Sequence, residues 1–316
     1  MTQSIAILGA PVSGKTTFLA ALNIALARQN EGWKLVGADP ASSERLVTLT
    51  HQLTERSYPK ATSGIEQFSW MLVGQTMRTE RRRWFSPKQQ HMDTVKVRLD
   101  LADPSGEVAN RTRHALRDEL IKNLVASHGL IFIFDPISEF ERGNTFRYTF
   151  SVVAEMAQLM FETPEFSDGY LPHYVAVCIT KFDEIRIFRT AEHSNLISYD
   201  PDDHGFPKVD NDDAREFLAQ LCKVSKTRNA ELVINTLEQY FRPDRIKYFV
   251  TSAIGFHVDP ITETFNLSDY QNTVRDEANS AQGPSAYARI RGPVFPINVI
   301  EPFEWVSRQP ILTAGG

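Results

Sequence analysis

Gly9-Ala10-Pro11-Val12-Ser13-Gly14-Lys15-Thr16 is the stretch that decides how this 316-residue chain is read. Ser4–Leu8 before it is an apolar run of strand length. Thr17–Arg28 after it carries Phe18, Leu19, Leu22, Ala25 and Leu26 at helical spacing. Strand, glycine loop and helix in that order let backbone N–H groups curl around a phosphate at a helix N-terminus. The loop residues Gly9, Ser13, Gly14, Lys15, Thr16 and Thr17 are therefore candidate phosphate contacts. Lys15 would bridge β- and γ-phosphate oxygens, and the Thr16 hydroxyl would be a ligand to Mg²⁺.

Composition narrows the class. Hydrophobic residues make up 42% and charged residues 23%, values ordinary for a globular enzyme. A net charge of -5 argues against nucleic acid as the main partner, because a phosphate backbone rewards a clustered basic surface. Cys178 and Cys222 make no metal-ligand pattern and read as reduced thiols. No apolar run reaches the roughly 18–20 residues that a membrane span needs. Met1–Ser4 lacks a basic region, so the expectation is a first strand rather than a signal peptide, in a cytoplasmic protein.

Further along, Ile65–Gly74 and Thr94–Ala102 read as strands. In the second, Val95, Val97, Leu99 and Leu101 alternate with Lys96, Arg98 and Asp100, as in an antiparallel pair wet on one face. Residues 30–63 show no firm periodicity, and Gln75–Asp93 is a polar insertion. Helices are expected near Val108–Ser127, Asn144–Phe161, Asp213–Val224 and Ala230–Phe241. Gly129–Asp135, Tyr174–Thr180 and Arg245–Ser252 are expected strands. Residues 185–212 form a second insertion, in which Asp200–Asp213 reads as loop. Residues 256–316 form a C-terminal extension whose final helix, Val299–Val306, packs back. Strands alternating with helices predict a three-layer α/β fold with a mostly parallel sheet, one antiparallel strand and loop insertions. One domain over residues 1–316, with a core at about 4–255, accounts for this order.

Three later motifs bear on chemistry. Asp103-Pro104-Ser105-Gly106 ends a strand, where Asp103 can hold Mg²⁺ through water and the Gly106 N–H can reach a γ-phosphate. Thr180-Lys181-Phe182-Asp183 ends another. There a carboxylate at Asp183 can accept from guanine N1–H and the 2-amino group while the Lys181 stem packs along the base. Adenine lacks that donor pair, and a site built on such bonds discriminates by about 10⁴–10⁵. Thr251-Ser252-Ala253 ends the next strand, where Ser252 and Ala253 offer backbone N–H groups to the guanine carbonyl.

These four elements, in this order, resemble the translation-factor-related (TRAFAC) class of P-loop GTPases over roughly residues 4–255. Pro59-x-x-Thr62 and Asn298–Trp305 are more narrowly similar to bacterial double-GTPase proteins of conflict or defence systems. The resemblance implies a P-loop NTPase fold and a GTP-binding molecular switch that hydrolyses GTP to GDP with Mg²⁺. It implies protein partners at the switch regions, another GTPase among them. It assigns Thr62 as the threonine closing on Mg²⁺ and the γ-phosphate, and it places Lys15, Thr62, Gly106 and Glu107 at the reaction. Thr48–Thr62 and Gly106–Arg113 would reorder on exchange.

The chain departs from that pattern. Pro11 and Val12 replace small glycines, Glu107 stands where a glutamine often follows, and Ile254 stands where a lysine often sits. A carboxylate near a γ-phosphate is repelled, so a GTP-binding structural subunit with little turnover stays open as an alternative. A P-loop small-molecule kinase is another, with Arg78–Arg83 as lid arginines. The Arg78–Trp84 cluster reads as a solvated hairpin tip or a docking surface.

Overall fold

The computed structural model describes residues 3–29, 32–59, 65–80, 89–104, 110–143, 145–166, 168–225, 230–275 and 288–310. Strands and helices run β1 (Gln3–Leu8), α1 (Lys15–Gln29), β2 (Lys34–Gly37), α2 (Pro40–Thr54), β3 (Ile65–Glu80), β4 (Gln89–Pro104), α3 (Asn110–Ala126) and β5 (Gly129–Phe134). They continue α4 (Pro136–Arg142), α5 (Thr145–Met160), β6 (Tyr174–Ile179), α6 (Ile185–His193), β7 (Ser198–Asp200), β8 (Phe206–Lys208), α7 (Ala214–Val224) and α8 (Ala230–Tyr240). The chain then forms β9 (Ile246–Val250), β10 (Thr273–Arg275), β11 (Ala288–Ile290) and α9 (Glu301–Ser307).

Seven strands make the main sheet, in the order β2-β3-β4-β1-β5-β6-β9. From β4 to β9 every neighbour is parallel, and β3 alone runs against both β2 and β4. This is the expected mostly parallel sheet with one antiparallel strand. Alternation along the parallel strands builds the three layers. Ile5, Ile7, Ile131, Ile133, Ala176, Cys178 and Phe249 join the core shared with α1, α2 and α9. Ala6, Leu8, Leu130, Phe132, Phe134, Val175, Val177, Ile179 and Val250 join the core shared with α3, α5, α7 and α8. Successive side chains on a strand point to opposite faces, so both faces of β5 and β6 are covered and their sequences are continuously apolar.

Residues 30–63 hold more structure than the periodicity of the sequence indicated. Asp39 caps α2: its Oδ1 accepts the Ser42 N–H at 2.8 Å and its Oδ2 the Ser42 hydroxyl at 2.9 Å. Pro40 follows in the first turn, and Leu46, Leu49 and Leu53 bury one face. Trp70 of β3, fully buried, donates its indole N–H to the Ser42 carbonyl at 2.9 Å and ties α2 to the sheet. Thr48–Thr54, the first part of the segment expected to reorder, belong to this packed helix.

The expected insertions hold elements of their own. Residues 75–80 and 89–93 of the expected polar insertion extend β3 and β4, which pair out to Glu80 and Gln89. Within 185–212, α6 is followed by the β7–β8 hairpin, which is anchored by the buried Phe206. In the extension, β10 and β11 pair and α9 packs on β5 and β6, with Phe303 buried against Phe18 at a ring separation of 6.1 Å. Among the described residues no helix is long and apolar enough to cross a membrane.

Candidate functional site

The sheet changes direction of winding at β1: β2, β3 and β4 lie on one side of it, and β5, β6 and β9 on the other. In open α/β sheets ligands bind outside the carboxyl ends of strands at such a point. The loop from Gly9 to Gly14 leaves β1 there. Val12 and Gly14 take left-handed φ values of 64° and 89°, which turns the chain back on itself into an anion nest. Left-handed backbone is unusual for a β-branched side chain, so Val12, which is exposed, stores strain in the loop. Lys15 is buried, and its ammonium donates to the Gly9 and Ala10 carbonyls at 2.9 and 3.0 Å. Ser13 is buried, and its hydroxyl oxygen has no partner among the described residues. Thr16 and Thr17 lie half-buried in the first turn of α1.

The second set of residues gathers at the ends of β6 and β9. Thr180 donates its N–H and its hydroxyl to the Phe134 carbonyl at 2.9 and 3.0 Å, which locks this turn to the end of β5. Phe182 is fully buried and stacks edge-on with Phe188, Phe217 and Phe256. With Phe182 turned into the core, Lys181 and Asp183 on either side stay partly exposed. Lys181 takes a left-handed φ of 61° and pairs with Asp135 at 2.7 Å.

Asp183 accepts the Ser252 hydroxyl, and that hydroxyl oxygen accepts the Gly255 N–H at 2.8 Å. Desolvation pushes the Asp183 carboxyl up to about 6, against the opposing pull of Ser252 and Lys181. Ser252 thus acts through its side chain. Its N–H is bonded to the Ile297 carbonyl at 3.1 Å, which corrects the expectation that this N–H faces a ligand carbonyl. Ile254 is buried in the core and turned away.

Sequence reading missed three contributors. Asp135 pairs with Lys181, as above. Tyr58, after α2, is about 36% exposed, yet burial of its phenol and the nearby Asp183 charge push that phenol well up. The third is the extension, which braces the Ser252 loop. Ser252 and Ile297 exchange backbone bonds, and Phe295 donates to the Ile254 carbonyl at 3.0 Å. Gly255 has a φ of 66°, and a Cβ there would sit 2.0 Å from the Phe295 carbonyl oxygen, so only glycine fits. Asn272, buried, donates to the Ile254 and Pro293 carbonyls at 3.1 Å each and accepts the Gly292 N–H at 2.8 Å.

Thr62, Gly106 and Glu107 lie outside the described residues. Asp103 is placed by its backbone, in register with Glu66 at the carboxyl end of β4. The Gly9–Thr16 loop, Asp103 and the turns after β6 and β9 therefore share one edge of the sheet. Among the described residues no three His, Cys, Asp or Glu side chains gather as a metal site. A Mg²⁺ held by Thr16 and Asp103 would take its remaining ligands from phosphate and water, which is how that ion is usually bound.

No protein-family model matches the chain, and no curated protein matches it. Solved structures do. The chain is similar to the signal recognition particle receptor SRb-GTP/SRX complex from Chaetomium thermophilum, with 11% identity and a TM-score of 0.37, covering 83% of this chain and 95% of that one. It is similar to the G domain of the T. maritima FeoB iron transporter, with 15% identity and a TM-score of 0.24, covering 62% and 84%. It also spans half the length of an SsGBP mutation variant, with 16% identity and a TM-score of 0.31 over 80% of this chain.

Proposed function

We propose that this chain is a guanine-nucleotide-binding switch that hydrolyses GTP to GDP. The observation that carries the reading is the Asp183 carboxylate, held by the Ser252 hydroxyl on the same sheet edge as the Gly9–Thr16 loop. A carboxylate so held has acceptor capacity left for two donors side by side, which guanine offers at N1–H and the 2-amino group. An adenine there would leave it unpaired and desolvated. At the other end, the loop N–H groups and the Lys15 ammonium neutralise phosphate charge, Lys15 exchanging the Gly9 and Ala10 carbonyls for phosphate oxygens. Thr16, Asp103 and Thr62 are the residues to hold Mg²⁺, which supplies further charge neutralisation at the β- and γ-oxygens.

On this reading residues 1–316 are one GTPase domain, and the extension is part of its base site rather than an appendage. Glu107 in place of glutamine fits slow turnover that a partner accelerates; a trans-acting arginine adds about 10³–10⁵ in rate. A role in a bacterial multiprotein defence system, with another GTPase as partner, is the narrower form of the same reading, carried by Pro59-x-x-Thr62 and Asn298–Trp305. Calorimetric titration with GTP and ATP tests the reading. GTP is expected to bind at least about 100-fold more tightly, and Asp183→Asn to abolish the preference. Equal affinity for ATP would sink it.

A further inference from the structure

Asp135 follows β5, and β5 pairs with β1 so that Phe132 stands opposite Leu8. This puts Asp135 beside the start of the phosphate loop and, through the Phe134 carbonyl, against Thr180. Its carboxylate is 1% exposed and has two separate duties. Oδ1 accepts the N–H groups of Ile137 and Ser138 at 3.0 and 3.1 Å, capping α4. Oδ2 meets the Lys181 ammonium at 2.7 Å. An asparagine caps a helix as well as an aspartate does, so capping leaves the charge unexplained. A buried carboxylate is costly unless paired, and this one is paired to a lysine whose side chain is 43% exposed.

Lys181 is consequently fixed at both ends. Its carbonyl accepts the Glu184 N–H at 2.9 Å, and the next residue, Phe182, is pinned in the core with its N–H on the Thr251 carbonyl at 3.1 Å. At the far end its ammonium is on Asp135. A lysine stem is ordinarily a flexible four-carbon chain; tethered at both ends, it becomes a fixed apolar rail crossing from the Asp183 turn toward the phosphate loop. We infer that Asp135 is a positioning residue for nucleotide-base recognition, holding the Lys181 ammonium so that the Lys181 stem lies along the base whose edge Asp183 reads. This rests on the guanine reading of the site.

The test uses the full chain and two probes, a fluorescent GDP and inorganic tripolyphosphate as its competitor. Asp135→Asn, which keeps the cap, is expected to weaken GDP about tenfold while tripolyphosphate binds as in the parent. Lys181→Met, which keeps an apolar stem without its anchor, is expected to show the same loss, and the double variant no further loss. Parent-like GDP binding by Asp135→Asn would overturn the inference. So would a parallel loss of tripolyphosphate, which marks general damage, or losses that add in the double variant. Should Asp135→Asn fail to fold, Lys181→Met breaks the same pair from its exposed side, and parent-like GDP binding by that variant overturns the inference equally. Failure of the guanine reading looks different: the unsubstituted chain would bind ADP as tightly as GDP.

Discussion

The proposed phosphate end and the proposed base end of the site are built in opposite ways. At the phosphate end the bonds are local: Ser13 to Ala10, Phe18 to Gly14, and Lys15 to Gly9 and Ala10, all within one strand–loop–helix unit. At the base end they are long-range. Asp183 is held by Ser252, Ser252 by Ile297, and Ile254 by Asn272 and Phe295. Asn298 adds a bond from its amide to the Val250 carbonyl at 3.0 Å and one to Asn211 at 2.9 Å. A loop made of neighbours in sequence costs little chain entropy to close, whereas one stapled from distant segments depends on the whole fold being in place. The two ends should therefore fail separately.

The largest expected effect is at the phosphate end. Lys15→Ala removes a buried charge that makes two short hydrogen bonds, and triphosphate affinity is expected to fall about 100-fold or more. Competition with tripolyphosphate would show the same loss as GTP; a loss confined to GTP would break the proposed division between the ends.

Acid should act on the other end. The Asp183 carboxyl titrates at about 6, raised by burial, and only its ionised form accepts two hydrogen bonds. Above about 6 recognition is fully present. As pH falls through that value the ratio of GDP to ADP affinity is expected to drop about tenfold per unit. Taking the ratio cancels the titration of the phosphates themselves. A ratio flat from pH 7.5 to 5 would show that Asp183 does not read the base.

Asn272→Ala leaves the Pro293 carbonyl and the Gly292 N–H unpaired and takes one of its two donors from the Ile254 carbonyl. A destabilisation of about 1–3 kcal/mol is expected, with faster GDP release and unchanged tripolyphosphate binding. Thermal unfolding and stopped-flow release measure the two. The smallest effect concerns the phosphate loop alone. Val12→Gly relieves a left-handed valine and is expected to stabilise the chain by about 1 kcal/mol, less the entropy glycine loses on folding. A clear loss of stability would mean that the loop carries no strain at Val12.

Much of the architecture was legible because its signals are short-range. A glycine loop between an apolar run and a helical stripe can be read without knowing what packs on it. The alternation of Val95–Leu101 marked a half-wet strand in the same way. The helix α2 was missed: Asp39-Pro40 and Leu46, Leu49 and Leu53 carry its cap and its buried face, but the polar residues between them concealed the period. Asp135 carried no such signal: in the sequence it is the last residue of the apolar strand Gly129–Asp135, and its partner lies 46 residues on.

By itself, then, the sequence determined the phosphate loop, the strand-end positions of Asp103, Thr180–Asp183 and Thr251–Ala253, and the α/β class. Local backbone conformation and side-chain period depend on neighbours in the chain. Only the tertiary structure decided that Asp135 pairs with Lys181, that the Ser252 hydroxyl meets Asp183 while its N–H meets Ile297, and that residues 292–298 brace the loop after β9. Those are pairings of buried polar groups, and which partner each one finds is set by how distant strands come into register.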